Sequence, residues 1–315
     1  MNGAATPRST LHAPRPHVLV TGCSSGIGRA TALTLARHGL RVFATVRRAE
    51  DAEALQVAAG AVGVGNSVRP VLLDVTDPAG IAEAAELVRR ELAEWGGALV
   101  GLVNNAGMVV GGPLEEVPLG RLRRVLEVNV VGVVAVTQAF LPLLRAGRGR
   151  IVNVSSVSGR IAPPFLGPYA ASKFALEALS DALRVELRPW GLRVVLVEPG
   201  PVATPFWDKG HAEYGERDGG EERAGSPYAR YAPALRARFR ESEAGGLPAE
   251  AVAETIHRAL VAHRPRARYL VTRRPLLFGL FSRLAPDAVR DALLGRWVRP
   301  PRTASGAGGG ARARS

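Results

Sequence analysis

Short apolar runs alternate with amphipathic stretches along most of this chain. His17-Val-Leu-Val-Thr21 is a brief apolar run that stops at glycines, and a helical pattern follows from Gly26 to about His38. Arg41 to Val46 reads as a second strand and Val68 to Val75 as a third. Pro78 to about Trp95 is helical, with proline early in the first turn where it is tolerated. Leu99 to Val103 reads as a strand, Pro118 to about Arg145 as a long helix, and Arg150 to Ser155 as a strand. A helix from Pro168 to Arg188 and a strand from Arg193 to Glu198 complete the regular part. Strands apolar on both faces and separated by helices predict an α/β fold, a parallel sheet covered on both sides.

Beyond Pro199 the alternation lapses. Residues 203–246 are rich in Gly, Glu, Arg, Tyr and Pro and read as an inserted lid. Pro248 to His263 regains helical periodicity, Arg268 to Thr272 offers a last strand, and 276–297 predicts two short helices around Pro286. The expected organisation is a flexible segment 1–16, a catalytic domain 17–272, a basic amphipathic extension 273–300 and a disordered, Gly-, Ala- and Arg-rich tail 301–315.

Composition narrows this picture. Hydrophobic residues make up 47% and charged residues 22%, as in a soluble globular protein. The longest apolar stretch, Val125 to Leu144, is interrupted by Glu127, Asn129 and Gln138 and reads as a buried helix rather than a membrane span. The single cysteine, Cys23, leaves no internal disulfide and suits a reducing, cytoplasmic setting. The formal net charge is +13, and only Lys173 and Lys209 are lysines. From Arg258 to Ser315 there are 13 arginines against two acids, Asp287 and Asp291, a local excess of +11. Neither interleaved aromatics nor a reader motif accompanies it, so a nucleic-acid partner is not expected.

Three patterns carry chemistry. Thr21-Gly-Cys-Ser-Ser-Gly-Ile-Gly28 links a strand to a helix, with glycines at 22, 26 and 28 that let a pyrophosphate approach the helix N-terminus. At the end of the second strand, where an acid would hold the ribose 2′-hydroxyl of NAD, stand Val46-Arg47-Arg48. Guanidiniums suit a 2′-phosphate instead, which favours NADP(H) over NAD(H). Finally, Tyr169 and Lys173 lie four apart, on one helical face, where an ammonium lowers the pKa of a phenol.

Taken in order, the loop Thr21–Gly28, Asp74, Asn104-Asn-Ala-Gly107, Asn129, Ile151-Val-Asn-Val-Ser-Ser156, Tyr169/Lys173 and Pro199-Gly200 resemble the short-chain dehydrogenase/reductase family over residues 17–272. Among its members the chain is most similar to hydroxysteroid and retinol dehydrogenases, partly through Arg41 to Arg47. The resemblance implies a doubly wound, Rossmann-like sheet in three α/β/α layers, cofactor and catalysis sharing one domain. It implies that Tyr169 is the proton donor, Ser156 holds the substrate oxygen, Lys173 tunes Tyr169 and binds the nicotinamide ribose, and Asn129 helps hold a relay water. The cofactor would be held by Thr21, Gly22, Ser24, Ser25, Gly26, Ile27 and Gly28 of the loop. Arg47, Arg48, Asp74 and Val75 would meet the adenosine end, and Asn104, Ala106 and Gly107 the centre. Tyr169, Lys173, Pro199, Gly200, Val202 and Thr204 would contact the nicotinamide end. No metal is expected, because the six histidines and one cysteine show no ligand spacing.

The implied reaction is hydride transfer between nicotinamide and a secondary alcohol or carbonyl. Phe165, Leu166, Phe206, Trp207, Tyr214, Tyr228 and Tyr231 either line a cleft for a steroid-, retinoid- or other lipid-like substrate or form the packing core of the lid. The alternatives are a polar or polyketide-type carbonyl, and a catalytically silent NADP(H)-binding regulator. A homo-oligomer, dimer or tetramer, is implied through the helices at 118–145 and 168–188. Residues 276–297 are expected to dock on the domain or a partner subunit, with an anionic membrane surface as the less favoured reading.

Overall fold

The computed structural model describes residues 16–206, 226–231 and 244–297, with positions 235, 237, 240 and 241 between. The N-terminal segment, most of the lid and the tail lie outside these. Seven parallel strands form one sheet in the order β3-β2-β1-β4-β5-β6-β7. They are β1 (Pro16–Val20), β2 (Arg41–Val46), β3 (Val68–Leu72), β4 (Ala98–Asn104), β5 (Arg150–Val154), β6 (Arg193–Pro199) and β7 (Arg268–Val271). The α-helices among the described residues include α1 (Gly26–Arg37), α2 (Ala49–Ala61), α3 (Pro78–Glu94), α4 (Leu119–Leu126), α5 (Gly132–Ala146), α6 (Gly167–Glu186), α7 (Ala249–Val261), α8 (Pro275–Leu284) and α9 (Asp287–Trp297).

Strand β1 shows why the sheet is covered twice. Val18 and Val20 enter one core with Leu35 of α1 and Val252 and Ile256 of α7, while Leu19 enters the other with Phe43, Val88 of α3 and Phe140 of α5. Alternate side chains point to opposite faces, so an all-apolar strand demands two layers of helices. Chain order reverses between β1 and β4, which opens a crevice at the carboxyl ends of those strands.

Three departures from the sequence reading stand out. Helix α2 was not anticipated, because its buried side is only Leu55 and Ala59, too slight an apolar stripe to register. β3 stops at Leu72 instead of running to Val75, since Asp74 Oδ1 accepts from the Thr76 backbone N–H at 2.9 Å and closes a turn. The long helix is interrupted: Glu127–Val131 is a π turn between α4 and α5. The stretch 119–146 is long and apolar enough to cross a membrane by composition, yet Val125, Val136, Phe140 and Leu144 are buried in the protein's cores.

β7 is locked in place electrostatically. Arg268 reaches Glu177 (3.0 Å) and Asp181 (2.7 Å) on α6 and Glu198 (3.3 Å) on β6, and Arg160 meets Glu198 at 2.7 Å.

Candidate active site

The crevice is a cleft of about 600 Å³ running from Arg47 to Phe206. Its floor is the glycine loop. Gly22 (φ +72°) and Gly26 (φ +55°) adopt left-handed backbone, which glycine enters at least cost. A Cβ on Gly22 would sit 2.8 Å from the Ala106 Cα, and one on Gly28 would collide with the Gly22 carbonyl and the Asn105 amide. Thr21 Oγ1 accepts from both Asn105 N and Ala106 N at 2.9 Å, joining the loop to the end of β4. No acid occupies the first turn of α1, so its N-terminus presents positive potential to the cleft. This cradle fits a pyrophosphate, and Gly22, Ser24, Ser25, Gly26, Ile27 and Gly28 all line it.

At the adenosine end the two arginines part. Arg47 lines the cleft, whereas Arg48 turns to Asp51 at 3.0 Å, its guanidinium fully exposed at the start of α2. Val46 is packed in the core at 1% exposure. Arg121 and Arg124 of α4 also line the cleft, and Arg124 donates to Thr76 Oγ1 at 3.2 Å. Burial pushes the Asp74 carboxyl upward, but Thr76, Arg47 and Arg124 together hold it below its ordinary value. The α4 arginines escaped the sequence reading because nothing in a helical pattern says which exposed arginine overhangs a cleft.

In the Asn104-Asn105 pair the roles differ from the reading. Asn104 is buried behind the cleft, donating to Thr137 Oγ1 (3.0 Å) and Asn153 Oδ1 (2.9 Å). Asn105 lines the cleft instead, its amide donating to the Thr21 and Gly22 carbonyls at 2.9 and 3.2 Å. Successive residues leaving a strand face opposite ways, so only one of the two can look into the cleft.

Ser156, Tyr169 and Lys173 meet at the other end, with Val154, Ser155, Pro199, Gly200, Val202, Thr204 and Phe206 around them. Ser156 hydrogen-bonds the Tyr169 phenol and also accepts from Ser158 N at 3.1 Å, fixing its rotamer. The Lys173 ammonium lies 5.7 Å from the Tyr169 ring centroid and donates to the Val154 carbonyl at 2.9 Å. Burial lowers its pKa to about 8, against the opposing pull of Glu177. The expectation for Tyr169 is reversed: burial pushes the phenol up to about 12, although the Ser156 bond lowers it. Val109, Leu166 and the partly buried Phe206 pack around the ring, so desolvation of a phenolate outweighs the Ser156 bond.

Asn129 sits in the π turn, 1% exposed. Its Oδ1 accepts from Met108 N, and its Nδ2 donates to Met108 O and Ser172 Oγ, each at 2.9 Å. Both amide hydrogens are therefore engaged, and the side chain braces the Gly107–Met108 wall of the cleft. Cys23, inside the glycine loop, is buried with its thiol pushed up by desolvation, which marks it as packing.

The aromatic residues divide. Phe206 meets Tyr169 at 6.0 Å, and Leu166 packs there too. Phe165, held at φ +65°, packs on Tyr228 (6.1 Å) and Tyr231 (5.8 Å), so this part is lid packing. Trp207 and Tyr214 lie outside the described residues. Next to the cleft, sharing Gly200 with it, is a second groove of about 670 Å³. Val157, Leu247, Phe278, Phe281 and Leu293 make it apolar, and Arg273 and Arg274 stand on its wall.

One cluster could not be read from spacing. His38, Glu254 and His257 bring three ligand atoms within 4.8 Å between α1 and α7. The two rings are stacked, 3.8 Å apart and 6° from parallel, so their in-plane lone pairs do not converge on a common point.

A doubly wound sheet with a glycine cradle at its switch point defines a dinucleotide-binding α/β protein. The comparisons fix the family: the short chain dehydrogenase model matches residues 16–215, and the chain belongs to that family of oxidoreductases. Its members bind NAD(P) and act on small molecules. The NADPH-dependent 3-dehydrocapnine reductase of Ornithobacterium rhinotracheale is 38% identical over 88% of this chain and 95% of its own. Human retinol dehydrogenase 5 is 36% identical over 93% of this chain and 92% of its own. A short-chain dehydrogenase/reductase from Burkholderia phymatum, solved in complex with NAD, aligns with TM-score 0.71 at 28% identity, covering 92% of this chain and 98% of that one.

Proposed function

We propose that this chain is an NADP(H)-dependent carbonyl reductase of lipophilic ketones, reversible as a secondary-alcohol dehydrogenase. The observation that carries the reading is the burial of Ser156, Tyr169 and Lys173 together at one end of a cleft whose other end holds Arg47. When bound, the nicotinamide supplies the hydride. Everything else belongs to the protein. The loop 21–28 seats the pyrophosphate, Arg47 and Arg124 meet a 2′-phosphate, and Pro199, Gly200, Val202 and Thr204 enclose the nicotinamide end. Ser156 donates to the substrate oxygen as it gains charge, and Tyr169 gives it a proton. A phenol held protonated by burial suits donation, which supports reduction as the direction near neutral pH.

The lipophilic assignment is supported by the apolar groove that meets the cleft at Gly200 and by Leu166 and Phe206 beside Tyr169. The cofactor choice is supported by Arg47 and by the name of the NADPH-dependent relative, while the Burkholderia protein was solved with NAD. The test is oxidation of NADPH and of NADH, followed by absorbance over a panel of lipophilic and polar ketones. NADPH with lipophilic ketones should give turnover. Equal use of NADH would overturn the cofactor assignment, and turnover confined to polar ketones the substrate class. NADPH binding without turnover of any ketone would leave a nucleotide-binding regulator.

A further inference from the structure

We propose that α8 and α9 form a docking face for an anionic lipid bilayer. On α8, Leu276, Leu277, Leu280 and Leu284 are 89%, 59%, 59% and 70% exposed. Their spacing puts them on one side of the helix. The helix already docks on the protein by its opposite side, where Ser282 is buried and Gly279 leaves room beside Leu270. On α9, Val289 is 46% exposed as well, while Leu293 lies on the rim of the adjacent groove. Soluble monomers scatter such residues singly, and a contiguous stripe marks a contact surface.

Charge selects the occupant. Arg273, Arg274, Arg283 and Arg296 are exposed around the stripe, and α8 carries no acid. Asp287 and Asp291 of α9 are the only acids between residues 262 and 297. Leucines on one side with arginines beside them describe a helix that lies in the headgroup plane, acyl chains below and phosphates at its flanks. A second copy is a poor occupant, because a two-fold contact would set these arginines against their own images. Residues 298–315 are poor as well, since Val298 is their one aliphatic side chain larger than alanine apart from the prolines.

The test uses the full chain in flotation with phosphatidylcholine vesicles, with and without about one-third phosphatidylglycerol. Binding should require the anionic lipid and should weaken as salt rises. The double variant Leu276→Glu/Leu280→Glu should lose at least about tenfold in bound fraction, with the thermal melt and circular dichroism spectrum unchanged, which excludes misfolding. Arg283→Glu should weaken binding without altering the thermal melt. Failure to float with anionic vesicles would overturn the proposal. So would equal binding to both vesicle types, or a dimer that Leu280→Glu dissociates. Flotation, the thermal melt and the oligomeric state depend on neither the cofactor nor the substrate, so the docking face and the enzymatic reading fail separately.

Discussion

Lys173 holds a charge where the fold least favours one. Its pKa falls from 10.5 to about 8 because burial penalises the ammonium, and the charge of Glu177 offsets only part of that. A depressed value in the folded state means stability is lost as pH falls through about 8. At neutral pH that loss is on the order of 3 kcal/mol. Lys173→Met should therefore stabilise the protein at pH 7, by about 1 kcal/mol once the unpaired Val154 carbonyl is counted. The advantage should shrink toward pH 10, and turnover should vanish throughout. Thermal melts across pH decide this. Kinetics give a companion test: reduction should decline on the alkaline side with an apparent pKa near that of Lys173, about 8, and not near that of Tyr169, about 12.

Tyr169→Phe isolates the proton itself. It removes one oxygen from an apolar cluster, so NADPH affinity should stay within about twofold while turnover falls by at least about a thousandfold. Retained turnover would sink the mechanism. If the proposed cofactor holds, Arg47→Ala should raise the KM for NADPH by about tenfold or more and that for NADH far less, because NADH has no 2′-phosphate for the guanidinium to meet. The same substitution at Arg48 should change neither, since its guanidinium is already bound to Asp51.

At the scale of elements, Arg268 ties β7 to α6 and β6 beyond the strand pairing itself. It is the common cation for Glu177, Asp181 and Glu198, and Glu198 is fully buried. Arg268→Met should cost about 3 kcal/mol at pH 8, measured by denaturant titration, because the buried Glu177 carboxylate loses its cation, while Glu198 keeps Arg160 and Asp181 keeps Arg184. Glu177 is already raised by burial, so it takes up a proton more easily than an ordinary carboxylate. The deficit should therefore narrow as pH falls toward 5 and widen as it rises. Strand β7 itself was legible in the sequence as a short apolar run, but the ion cluster was not. Its members lie up to 91 residues apart. The strands and most helices were legible for a physical reason: burial on both faces forces long apolar runs, and these survive any local noise. α2 was invisible because alanines and one leucine suffice to pack it. The π turn was invisible because its core is Asn129, bonded to Met108 twenty-one residues away. Most motif residues line the cleft and stand out by order and spacing, Asn104 and Arg48 excepted, whereas Asn105, Arg121 and Arg124 depend on where backbone and helix finally point.

The whole molecule joins three surfaces that the sequence kept apart: the dinucleotide cleft, the groove sharing Gly200 with it, and the leucine face of α8. One helix separates the last two, with Phe278 and Phe281 turned into the groove, Leu277 on its rim, and Leu276, Leu280 and Leu284 turned outward. If the groove carries the apolar part of a substrate, a charge inside it must affect long ketones far more than short ones. Phe281→Asp should then raise the KM of a long-chain ketone by about tenfold to a hundredfold, as burying an unpaired carboxylate against an alkyl chain demands. A short, water-soluble ketone that occupies only the space between Ser156 and Phe206 should keep its kcat and KM. Equal losses for both would mean that the substitution disturbs the cleft through Gly200, and the groove would then be packing between the C-terminal helices and the sheet, with no share in choosing the substrate.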